Sequence, residues 1–511
     1  MTWRRLASVE GYVSVVRYQS VIVENKGFFK YYYAIMDREK VHSLGCNIDD
    51  DRTRDILASI TALPSLARPA VCLPDLHLKE RTEAPSSFAA ATRDTIVPEL
   101  TAPSVGCGMG ALVTSLSVKD IDHTFFEAFF HELRANLGPR YGHFKNILLW
   151  LGIIGRPHKP YDLTEEEFAD IIKHGAQAAV ERYNLPSEFL DRVEYRGSVY
   201  SKEEQESLNL KNILPRISWR SGRHDLGYGF KGNHFLEIQY VEEMIDIKTA
   251  RDWGLKEGSI VIMYHGGGGA VSYHIGRYFG NRKKNTAIQK FVLFFFKALF
   301  HFGNPKKWKY AAKRFRYYFR PKPFMEIPLD TPEGDRLWQA TKASLNYSYG
   351  FRMAIARRII DTLSKVSPKK GVTSSLIVDS THNAIMKEKV GNEELVVHRH
   401  TANRAFPDKP LIVSGFNTTN SYIAVGLPNA EEHLFASDHG AGITIKKMQN
   451  EGLSRPHPKN FVTHIYQTRS PFKRVVEHIT NEGIDYVMET LEREGIARPV
   501  ARLRPLAVFK G

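Results

Sequence analysis

One kind of turn recurs along most of this chain, and it limits the folds open to the chain more than any other feature does. In each copy a histidine or a cysteine stands among small and polar residues, and the copies are Gly106-Cys107-Gly108, Gly232-Asn233-His234-Phe235, Tyr264-His265-Gly266, Ser380-Thr381-His382-Asn383 and Ser437-Asp438-His439-Gly440-Ala441-Gly442. Any one of them alone would be an ordinary turn. A site built from all of them requires residues 106 to 442 to fold as one cooperative domain.

Strand-like runs adjoin these turns. Residues 111–116 read as a strand after the cysteine turn, and residues 236–240, where apolar and polar side chains alternate, read as a strand opened by His234. Short buried-strand patterns at 259–264, 375–378 and 411–413 precede His265, His382 and Ser414. Because side chains at strand ends share a rigid frame, we expect the candidate site to be held in a fixed geometry.

Capping residues predict helices between these strands. Residues 120–137 read as one helix. Thr164 and Glu167 form a capping box at the start of another. Thr331 suits the N-cap of a third helix, and Pro332 suits its first position.

The net charge of +15 is concentrated in one segment. Residues 277–322, called the basic segment below, contain fourteen Lys or Arg and no Asp or Glu, which leaves 57 basic and 56 acidic residues elsewhere. The segment separates the His265 turn from the helix at Thr331 and is predicted to be an insertion. Helical periodicity places Lys306, Lys309, Lys313, Arg316 and Arg320 on one stripe of a predicted helix, and Trp308, Ala311, Ala312, Phe315 and Phe319 on another.

The composition of the basic segment leaves its partner open. Fourteen aromatic residues among fourteen cations suit single-stranded nucleic acid, but they also suit an anionic membrane surface or a groove on a partner protein. We favour nucleic acid. The apolar run at residues 291–296 is interrupted by Lys297 and falls short of the ~20 residues that a spanning helix requires, so no transmembrane segment is predicted.

The cysteine content argues against secretion. Three cysteines, Cys46, Cys72 and Cys107, are too few for a disulfide scaffold in a chain of 511 residues, and they fit a reducing compartment. The N-terminus carries no apolar core of signal-peptide length. The chain is therefore predicted to act in the cytoplasm.

Cys107, His234, His265 and His382 form a candidate set of metal ligands. One thiolate and three imidazoles suit borderline ions such as Mn, Fe, Co or Zn. A pair of such ions would stabilise both the attacking and the leaving oxygen of an in-line displacement at phosphorus. The set therefore indicates phosphoryl or nucleotidyl transfer, although each histidine taken singly is more often a core or turn residue.

His439 is the candidate nucleophile. The glycines beside it let phosphates approach the backbone amides closely. The chain has neither a Gly-x-x-x-x-Gly-Lys-Ser/Thr loop nor a Lys-x-Asp-Gly motif. If a nucleotide becomes covalently attached, a histidine must therefore carry it, as an N-linked phosphoramidate that divides one difficult transfer into two easier steps.

With these motifs in collinear order, the chain resembles the RtcB family, the GTP- and manganese-dependent RNA ligases that join a 3′-phosphate or 2′,3′-cyclic phosphate end to a 5′-hydroxyl. The matching motifs begin near residue 70 and are Pro74-Asp75-Leu76-His77, Val105-Gly106-Cys107-Gly108-Met109, Gly232-Asn233-His234-Phe235-Leu236-Glu237, Val261-Ile262-Met263-Tyr264-His265, His382-Asn383, residues 399–406, Ser437 to Gly442 and Pro505 to Gly511. The resemblance implies an α+β fold. A central β-sheet core with peripheral helices would form a single large domain over residues 1–511, with the basic segment, 277–322, as a helical insertion.

The same resemblance implies a role for each candidate residue. His439 would take GMP from GTP, with Asp75 in the catalytic set. Cys107 would bridge two Mn²⁺ ions, His234 would hold one of them, and His265 with His382 would hold the other. The guanylate would be lined by Asn233, His234, Phe235, Leu236, Glu237, His382, Asn383, Ser414, Gly415, Phe416, Asn417, Ser421, His439, Gly440, Ala441, Gly442 and Lys510. The implied partners are RNA with these ends and an activating protein of the archease type, and the implied state is a monomer.

The chain departs from the family's pattern at several of these positions. Ser104 stands where the family usually has an aspartate ligand, three residues before the cysteine. Ile443 stands in place of an arginine, and Phe416 in place of a serine that contacts guanylate. Lys79-Glu80-Arg81 replaces a small, glycine-containing stretch, and Gly266 to Gly269 replaces a Ser-Arg pair. The chain is thus predicted to be a divergent paralogue, either an active ligase, a ligation-deficient RNA-binding protein, or a metal-dependent phosphoesterase.

Overall fold

The computed structural model describes most of the chain from residue 36 onwards. The described residues are 20–22, 32–34, 36–48, 50–80, 82–135, 137, 145, 148–149, 154–155, 158–228, 230, 232–280, 287–303, 305–320, 323–468, 470 and 473–511. Part of the basic segment, namely residues 281–286, 304 and 321–322, therefore lies outside them.

Strands and helices are interspersed along the described residues. The strands are β1 (Ser20–Ile22), β2 (Tyr32–Ala34), β3 (Val41–Ser43), β4 (Ala70–His77), β5 (Ser86–Thr92), β6 (Thr95–Ile96), β7 (Gly108–Ser117), β8 (Phe235–Met244), β9 (Ser259–Gly266), β10 (Ile327–Pro328), β11 (Ser374–Thr381), β12 (Asn383–Val390), β13 (Glu393–His400), β14 (Ala402–Arg404), β15 (Pro410–Val413), β16 (Ser421–Gly426), β17 (Ala436–Asp438), β18 (Val462–Gln467), β19 (Lys473–Glu477) and β20 (Ala497–Lys510). The α-helices are α1 (Asp51–Thr61), α2 (His123–Ala135), α3 (Glu165–His174), α4 (Ala176–Arg182), α5 (Lys202–Ser207), α6 (Leu210–Ile213), α7 (Arg216–Gly222), α8 (Ile247–Asp252), α9 (Gly269–Tyr278), α10 (Ala287–Phe302), α11 (Ala311–Tyr318), α12 (Pro332–Val366), α13 (Gly442–Asn450) and α14 (Glu482–Arg493).

Among the described residues the largest sheet has nine strands, and several of its pairs join distant parts of the sequence. Its path runs β11-β7-β9-β8-β20-β16-β15, and β18 pairs with both β20 and β19. Its pairs are antiparallel except β18 with β20. The strands predicted around residues 111–116, 236–240, 259–264, 375–378 and 411–413 are confirmed as β7, β8, β9, β11 and β15.

A second sheet adjoins the first at His382. It has five strands in the order β12-β13-β5-β4-β3. Because β11 ends at Thr381 and β12 begins at Asn383, His382 lies at the junction between the two sheets. One apolar cluster joins this sheet to the last two helices, with Val71 and Val397 from the sheet, Ile445 from α13 and Leu491 from α14. The mixed α and β architecture confirms the predicted fold class.

The long helix α12 runs through the main core. Its N-terminus has the predicted cap, since the Thr331 hydroxyl accepts from the backbone N–H of Gly334 at 3.1 Å and Pro332 follows directly. Residues 340–356 are buried without interruption, so this part of the helix has no exposed side. Such a helix fits only where other elements surround it, and α2, α3, α4 and α9 pack around α12.

Of two other predicted helix starts, one is confirmed and the other lies at a different residue. The capping box at Thr164 and Glu167 is confirmed at the start of α3. The helix predicted over residues 120–137 is α2, which begins only at His123, and the preceding Val118–Asp120 form a separate 3₁₀ turn.

The described part of the basic segment is helical. It forms α10, a 3₁₀ turn at Pro305–Tyr310, and α11. The helix predicted over residues 306–320 is thus α-helical only from Ala311 to Tyr318. Among the described residues, none of the helices combines the length and the apolar composition needed to cross a membrane.

Candidate functional site

Strand register brings the candidate metal ligands to one edge of the nine-stranded sheet. Cys107 directly precedes β7, in which Met109 pairs with His265 of β9. On the other side of β9, Phe235 of β8 also pairs with His265. His234, which directly precedes Phe235, therefore stands on the same edge.

Three of the four candidate ligands are in close contact. Sγ of Cys107 lies 3.2 Å from Nε2 of His234 and 3.4 Å from Nε2 of His265. The ligand atoms of all three lie within 4.8 Å of one another, so one ion could contact them together. A thiolate with two imidazoles suits a borderline transition metal.

The histidine rings continue as a row from this cluster to His439. The ring centroids of His265 and His382 are 4.9 Å apart, and those of His382 and His439 are 4.6 Å apart. Nδ1 of His382 and Nδ1 of His439 are buried and have no hydrogen-bond partner among the residues that the structure describes. Buried polar atoms normally find partners, so these two nitrogens fit a site that takes a metal and a nucleotide.

The buried histidines are held in the neutral form. Burial, with added effects of the neighbouring rings and of Lys79, lowers the pKa of His265 and of His382 well below the ordinary imidazole value. Burial also lowers the pKa of His439 to about 3, with smaller effects of Lys79 and His77. A neutral imidazole keeps a lone pair that can bind a metal or attack phosphorus.

Helix α12 fixes the loop that carries Cys107. A guanidinium nitrogen of Arg352 donates to the carbonyl oxygen of Gly106 at 2.6 Å, and its Nε donates to Oδ1 of Asp379 at 2.7 Å. Gly106 has a φ of +90°, and a Cβ there would collide with the Ser348 hydroxyl. Because Arg352 and Asp379 are both buried, this ion pair is part of the protein core beneath the cysteine loop.

The carboxylate of Asp75 positions the His439 loop. Its Oδ1 accepts from the backbone N–H of Ile443 at 3.0 Å and of Thr444 at 2.7 Å, and from the Thr444 hydroxyl at 2.8 Å. These groups belong to the first turn of α13, which follows His439 after two residues. Burial raises the pKa of Asp75 to about 6. Its contacts are those of a positioning residue, and its place in the catalytic set stays a prediction.

The predicted guanylate loops contact each other directly. The backbone N–H of Ser414 donates to the carbonyl of His439 at 2.9 Å, and that of Ala441 donates to the carbonyl of Ser414 at 3.0 Å. A Cβ at Gly440 would lie 2.9 Å from the Ser414 carbonyl oxygen, so the close approach requires glycine. The Ser421 hydroxyl accepts from Gly415 N–H at 3.0 Å and thereby braces the same loop.

Glu237 and Lys510 lie on adjacent strands at this edge. Lys510 of β20 pairs with Phe235 of β8, and Val508 pairs with Glu237. One carboxylate oxygen of Glu237 accepts from Gln239 at 2.8 Å, while the other, Oε1, is buried and finds no partner in the described part of the chain. Burial raises the pKa of Glu237 to about 7, although the charge of Lys510 acts in the opposite direction.

The remaining predicted residues differ in how they could contribute. Asn383 donates from Nδ2 to the Ser104 hydroxyl at 3.3 Å and accepts from Thr401 N–H at 2.9 Å. The side chain of Leu236 is fully buried in the core. Asn233 lies in the turn before β8, Asn417 is half-buried in the loop after Ser414, and Gly442 begins α13.

Two of the departures from the family pattern, Phe416 and Ile443, lie around the start of α13. Phe416 and Ile443 are both exposed, at 38% and 41%. A Cβ at Gly442 would lie 3.9 Å from the Phe416 ring, and Nζ of Lys446 lies 5.7 Å from the centre of that ring. Ser104 accepts its hydrogen bond from Asn383, one residue after His382, so a carboxylate at this position would stand next to a candidate ligand.

Sequence reasoning missed the residues that support the site from beneath. Arg352, Ser348 and Asp379 were not among the candidates, yet they determine the position of the cysteine loop. Arg352 could have been recognised from the sequence because it stands in a helix stretch that is otherwise apolar. An arginine at such a place is expected to be buried, and a buried arginine needs a partner. Lys79 stood out only as a departure, whereas its charge acts on three histidines of the row.

Replacing Cys107 by serine tests the metal cluster. Cys107→Ser is expected to weaken Mn²⁺ binding by about a hundredfold or more, since even residues that only support a ligand are worth 10–100-fold. Isothermal titration with MnCl₂ measures this. The matched control is Cys46→Ser, whose thiol donates to the Cys72 carbonyl instead of facing histidines. Unchanged affinity in Cys107→Ser would contradict the assignment.

Comparison with known proteins places the whole site within one family. A family model described as tRNA-splicing ligase RtcB matches residues 56–511. The proteins named tRNA-splicing ligase RtcB from Thermococcus kodakarensis and Aeropyrum pernix are each 24% identical to this chain, over 90% of it and over 91% and 92% of their own lengths. That from Archaeoglobus fulgidus is 25% identical over 89% of this chain and 90% of its own. Since the family model covers the strands of the nine-stranded sheet, the ligand edge and the His439 loop, the chain belongs to the RtcB family.

Proposed function

We propose that this chain is an RNA ligase that joins 3′-phosphate or 2′,3′-cyclic phosphate ends to 5′-hydroxyl ends, with GTP as co-substrate and His439 as the covalent carrier. One observation carries the proposal: the buried ring of His439 adjoins that of His382, and the row continues through His265 to Cys107. A candidate nucleophile thus stands beside a candidate metal cluster. The names of the relatives, tRNA-splicing ligases, support the same class of reaction.

Cys107 and three histidines would hold manganese. We propose two ions that share Cys107, with His234 on one and His265 with His382 on the other. When bound, the ions would supply the positive charge that lets a neutral imidazole approach a triphosphate. The lowered pKa values of His265 and His382 suit this role, because an imidazole can bind a metal ion only when its ring is unprotonated.

His439 would act as a neutral nucleophile. With its pKa near 3, its lone pair is free at neutral pH. A bond would form between a ring nitrogen and the α-phosphorus of GTP, and the bond from that phosphorus to the bridging oxygen would break and release pyrophosphate. Asp75 would keep the ring in place by holding the first turn of α13.

Glu237 would recognise the base. A carboxylate can accept the N–H groups on the Watson–Crick edge of guanine, and Oε1 of Glu237 is a buried acceptor that no other described residue satisfies. Lys510 would add positive charge on the neighbouring strand. Further lining would come from Asn233, His234, Phe235, Leu236, His382, Asn383, Ser414, Gly415, Phe416, Asn417, Ser421, Gly440, Ala441 and Gly442.

The RNA ends would react in the second half of the cycle. A 2′,3′-cyclic phosphate would first be opened by water to a 3′-phosphate. GMP would pass from His439 to the RNA 3′-phosphate and free the imidazole. The 5′-hydroxyl oxygen would then attack the RNA phosphorus and lose its proton, and GMP would leave. We propose that the chain acts as a monomer and that an activating protein of the archease type assists it.

A ligation assay on the intact protein tests the function. Two RNA oligonucleotides, one ending in a 3′-phosphate and the other beginning with a 5′-hydroxyl, are incubated with GTP, with Mn²⁺, and with both. We expect a joined product only with both. Loss of the terminal phosphate with Mn²⁺ alone would indicate a phosphoesterase, and RNA binding without any reaction would indicate a ligation-deficient paralogue.

The serine at position 104 favours the second candidate function, a ligation-deficient paralogue, because a neutral hydroxyl is a poor manganese ligand. Ser104→Asp is expected to raise Mn²⁺ affinity about tenfold, in the range by which residues around a metal site usually act. Ser104→Asn is the matched control of equal size without charge. If both variants bind Mn²⁺ like the parent protein, position 104 does not face the metal.

A further inference from the structure

Helix α10 of the basic segment is apolar on two opposite faces. Its inner face, with Leu293, Phe296 and Phe300, packs against the main core. Its outer face carries Phe291, Phe294, Phe295 and Leu299, which are exposed by 75%, 54%, 62% and 58%. The spacing of these four residues places them on one side of the helix. A helix that is apolar all round is normally covered all round, so the outer face calls for a partner.

The outer face is held away from the core by buried polar contacts. Nζ of Lys297 donates to the carbonyl of Gly280 at 2.8 Å. From α11, Nε of Arg314 donates to Oε1 of Glu333 in α12 at 2.6 Å, and a guanidinium nitrogen donates to the carbonyl of His301 at 2.8 Å. Since Lys297, Arg314 and Glu333 are all buried, turning the helix over would leave charges unpaired.

The apolar strip continues from α10 onto α11. The ring centroids of Phe294 and Phe319 are 5.3 Å apart, and those of Phe319 and Phe315 are 5.8 Å apart. Phe315 is 47% exposed. Trp308 is 64% exposed, and its indole N–H already donates to the Phe302 carbonyl at 2.9 Å, so its ring presents an apolar surface.

Cations border this strip. Lys309, Lys313 and Arg316 are exposed on the 3₁₀ turn and α11. The segment from residue 277 to residue 322 contains no Asp or Glu. An apolar strip edged by exposed positive charge complements a surface with an apolar interior and an anionic rim.

We propose that this strip, made of Phe291, Phe294, Phe295, Leu299, Trp308 and Phe315, docks the protein on an anionic lipid bilayer. The apolar side chains enter the boundary between headgroups and acyl chains, while the neighbouring lysines and arginine contact anionic headgroups. Helix α10 lies in the plane of the membrane surface, as suits a short helix with one exposed apolar face.

Two other occupants fit the observations less well. Single-stranded RNA needs cations along the whole line of stacked bases, but the exposed cations named above lie only along the 3₁₀ turn and α11. On α10, Lys297, the one lysine between Phe291 and Phe302, is buried beneath the strip. A second copy of the chain would bring two segments of fourteen cations each together without acidic residues between them. The proposal replaces our preference for nucleic acid at this segment and is independent of the function proposed for the histidine site.

Vesicle flotation tests the docking surface. The full-length protein is expected to float with vesicles of phosphatidylcholine and phosphatidylserine in equal parts, but not with phosphatidylcholine alone, and added salt should weaken the binding. Phe291→Ser with Phe295→Ser should reduce binding roughly a hundredfold, about tenfold for each large apolar side chain removed. Lys309→Glu with Lys313→Glu should reduce it about thirtyfold or more, since each basic residue near such a surface contributes about fivefold.

The matched control is a pair of substitutions at exposed apolar residues elsewhere. Leu453→Ser with Val475→Ser changes side chains that are 53% and 56% exposed and should bind vesicles like the parent protein. Circular dichroism confirms that each variant folds. Vesicle binding that survives Phe291→Ser with Phe295→Ser would overturn the proposal, as would an absence of vesicle binding. In the latter case, loss of oligo(U) binding in this variant would identify an RNA surface, and loss of concentration-dependent self-association would identify an interface between copies.

Discussion

His439→Ala is expected to abolish covalent labelling of the protein by GTP that carries a radioactive α-phosphate. Removing the nucleophile of a covalent mechanism costs about 10⁴-fold or more in rate, so no labelled band should be visible on a denaturing gel. In the parent protein the label should be stable to alkali and lost in acid, as a phosphoramidate on histidine is. Labelling should also require Mn²⁺.

His433→Ala is the matched control for this experiment. His433 is another largely buried histidine in the same part of the chain, but its ring lies against that of His42, with the centroids 6.0 Å apart, and not in the row at the sheet edge. This variant should be labelled like the parent protein. Full labelling of His439→Ala would show that another residue is the nucleophile. An unlabelled parent protein with bound Mn²⁺ would shift the assignment to a phosphoesterase or an RNA-binding protein.

Arg352→Met is expected to have the largest effect on stability. Its guanidinium satisfies the buried carboxylate of Asp379 and the Gly106 carbonyl, and removing one partner of a buried ion pair costs about 3–5 kcal/mol of the free energy of unfolding. Urea unfolding should show a midpoint shifted to lower concentration. Mn²⁺ affinity should fall as well, because Gly106 directly precedes Cys107.

Two variants make this result specific. Arg357→Met lies on the same helix and breaks an ion pair to Asp361 whose side chains are each 30% exposed, so it should cost about 1 kcal/mol or less. Adding Asp379→Asn to Arg352→Met removes the unpaired buried charge and should recover part of the loss. If Arg352→Met unfolds like the parent protein, the ion pair does not brace the cysteine loop.

The strands that local sequence patterns predicted are present in the structure. Alternation of apolar and polar residues located β8, and the buried-strand patterns located β9 and β11, because these signals depend only on neighbouring residues. The family motifs extended the candidate set to Glu237 and Lys510, which register then places on adjacent strands. Their chemical roles remain predictions.

Long-range pairing is what the sequence could not supply. Arg352 and Asp379 meet only because α12 packs against β11, and the sequence around either residue does not predict the other as its partner. The same holds for Arg314, assigned to no stripe of the predicted helix, whose acidic partner Glu333 lies outside the basic segment. A charge count within a segment of sequence therefore said little about which cations meet solvent.

The order of strands in the nine-stranded sheet has a consequence for how the protein folds. The candidate ligand Cys107 directly precedes β7, which pairs with β9 and β11 from distant parts of the sequence, so its cluster with His234 and His265 acquires its geometry only when these non-local pairings form. Chains dominated by such pairings fold slowly, because the entropy of closing long loops is lost before the contacts form. A partly folded chain therefore has no preformed site for an ion. Loss of metal affinity during denaturation is expected to report on unfolding of the entire sheet instead of fraying at one end.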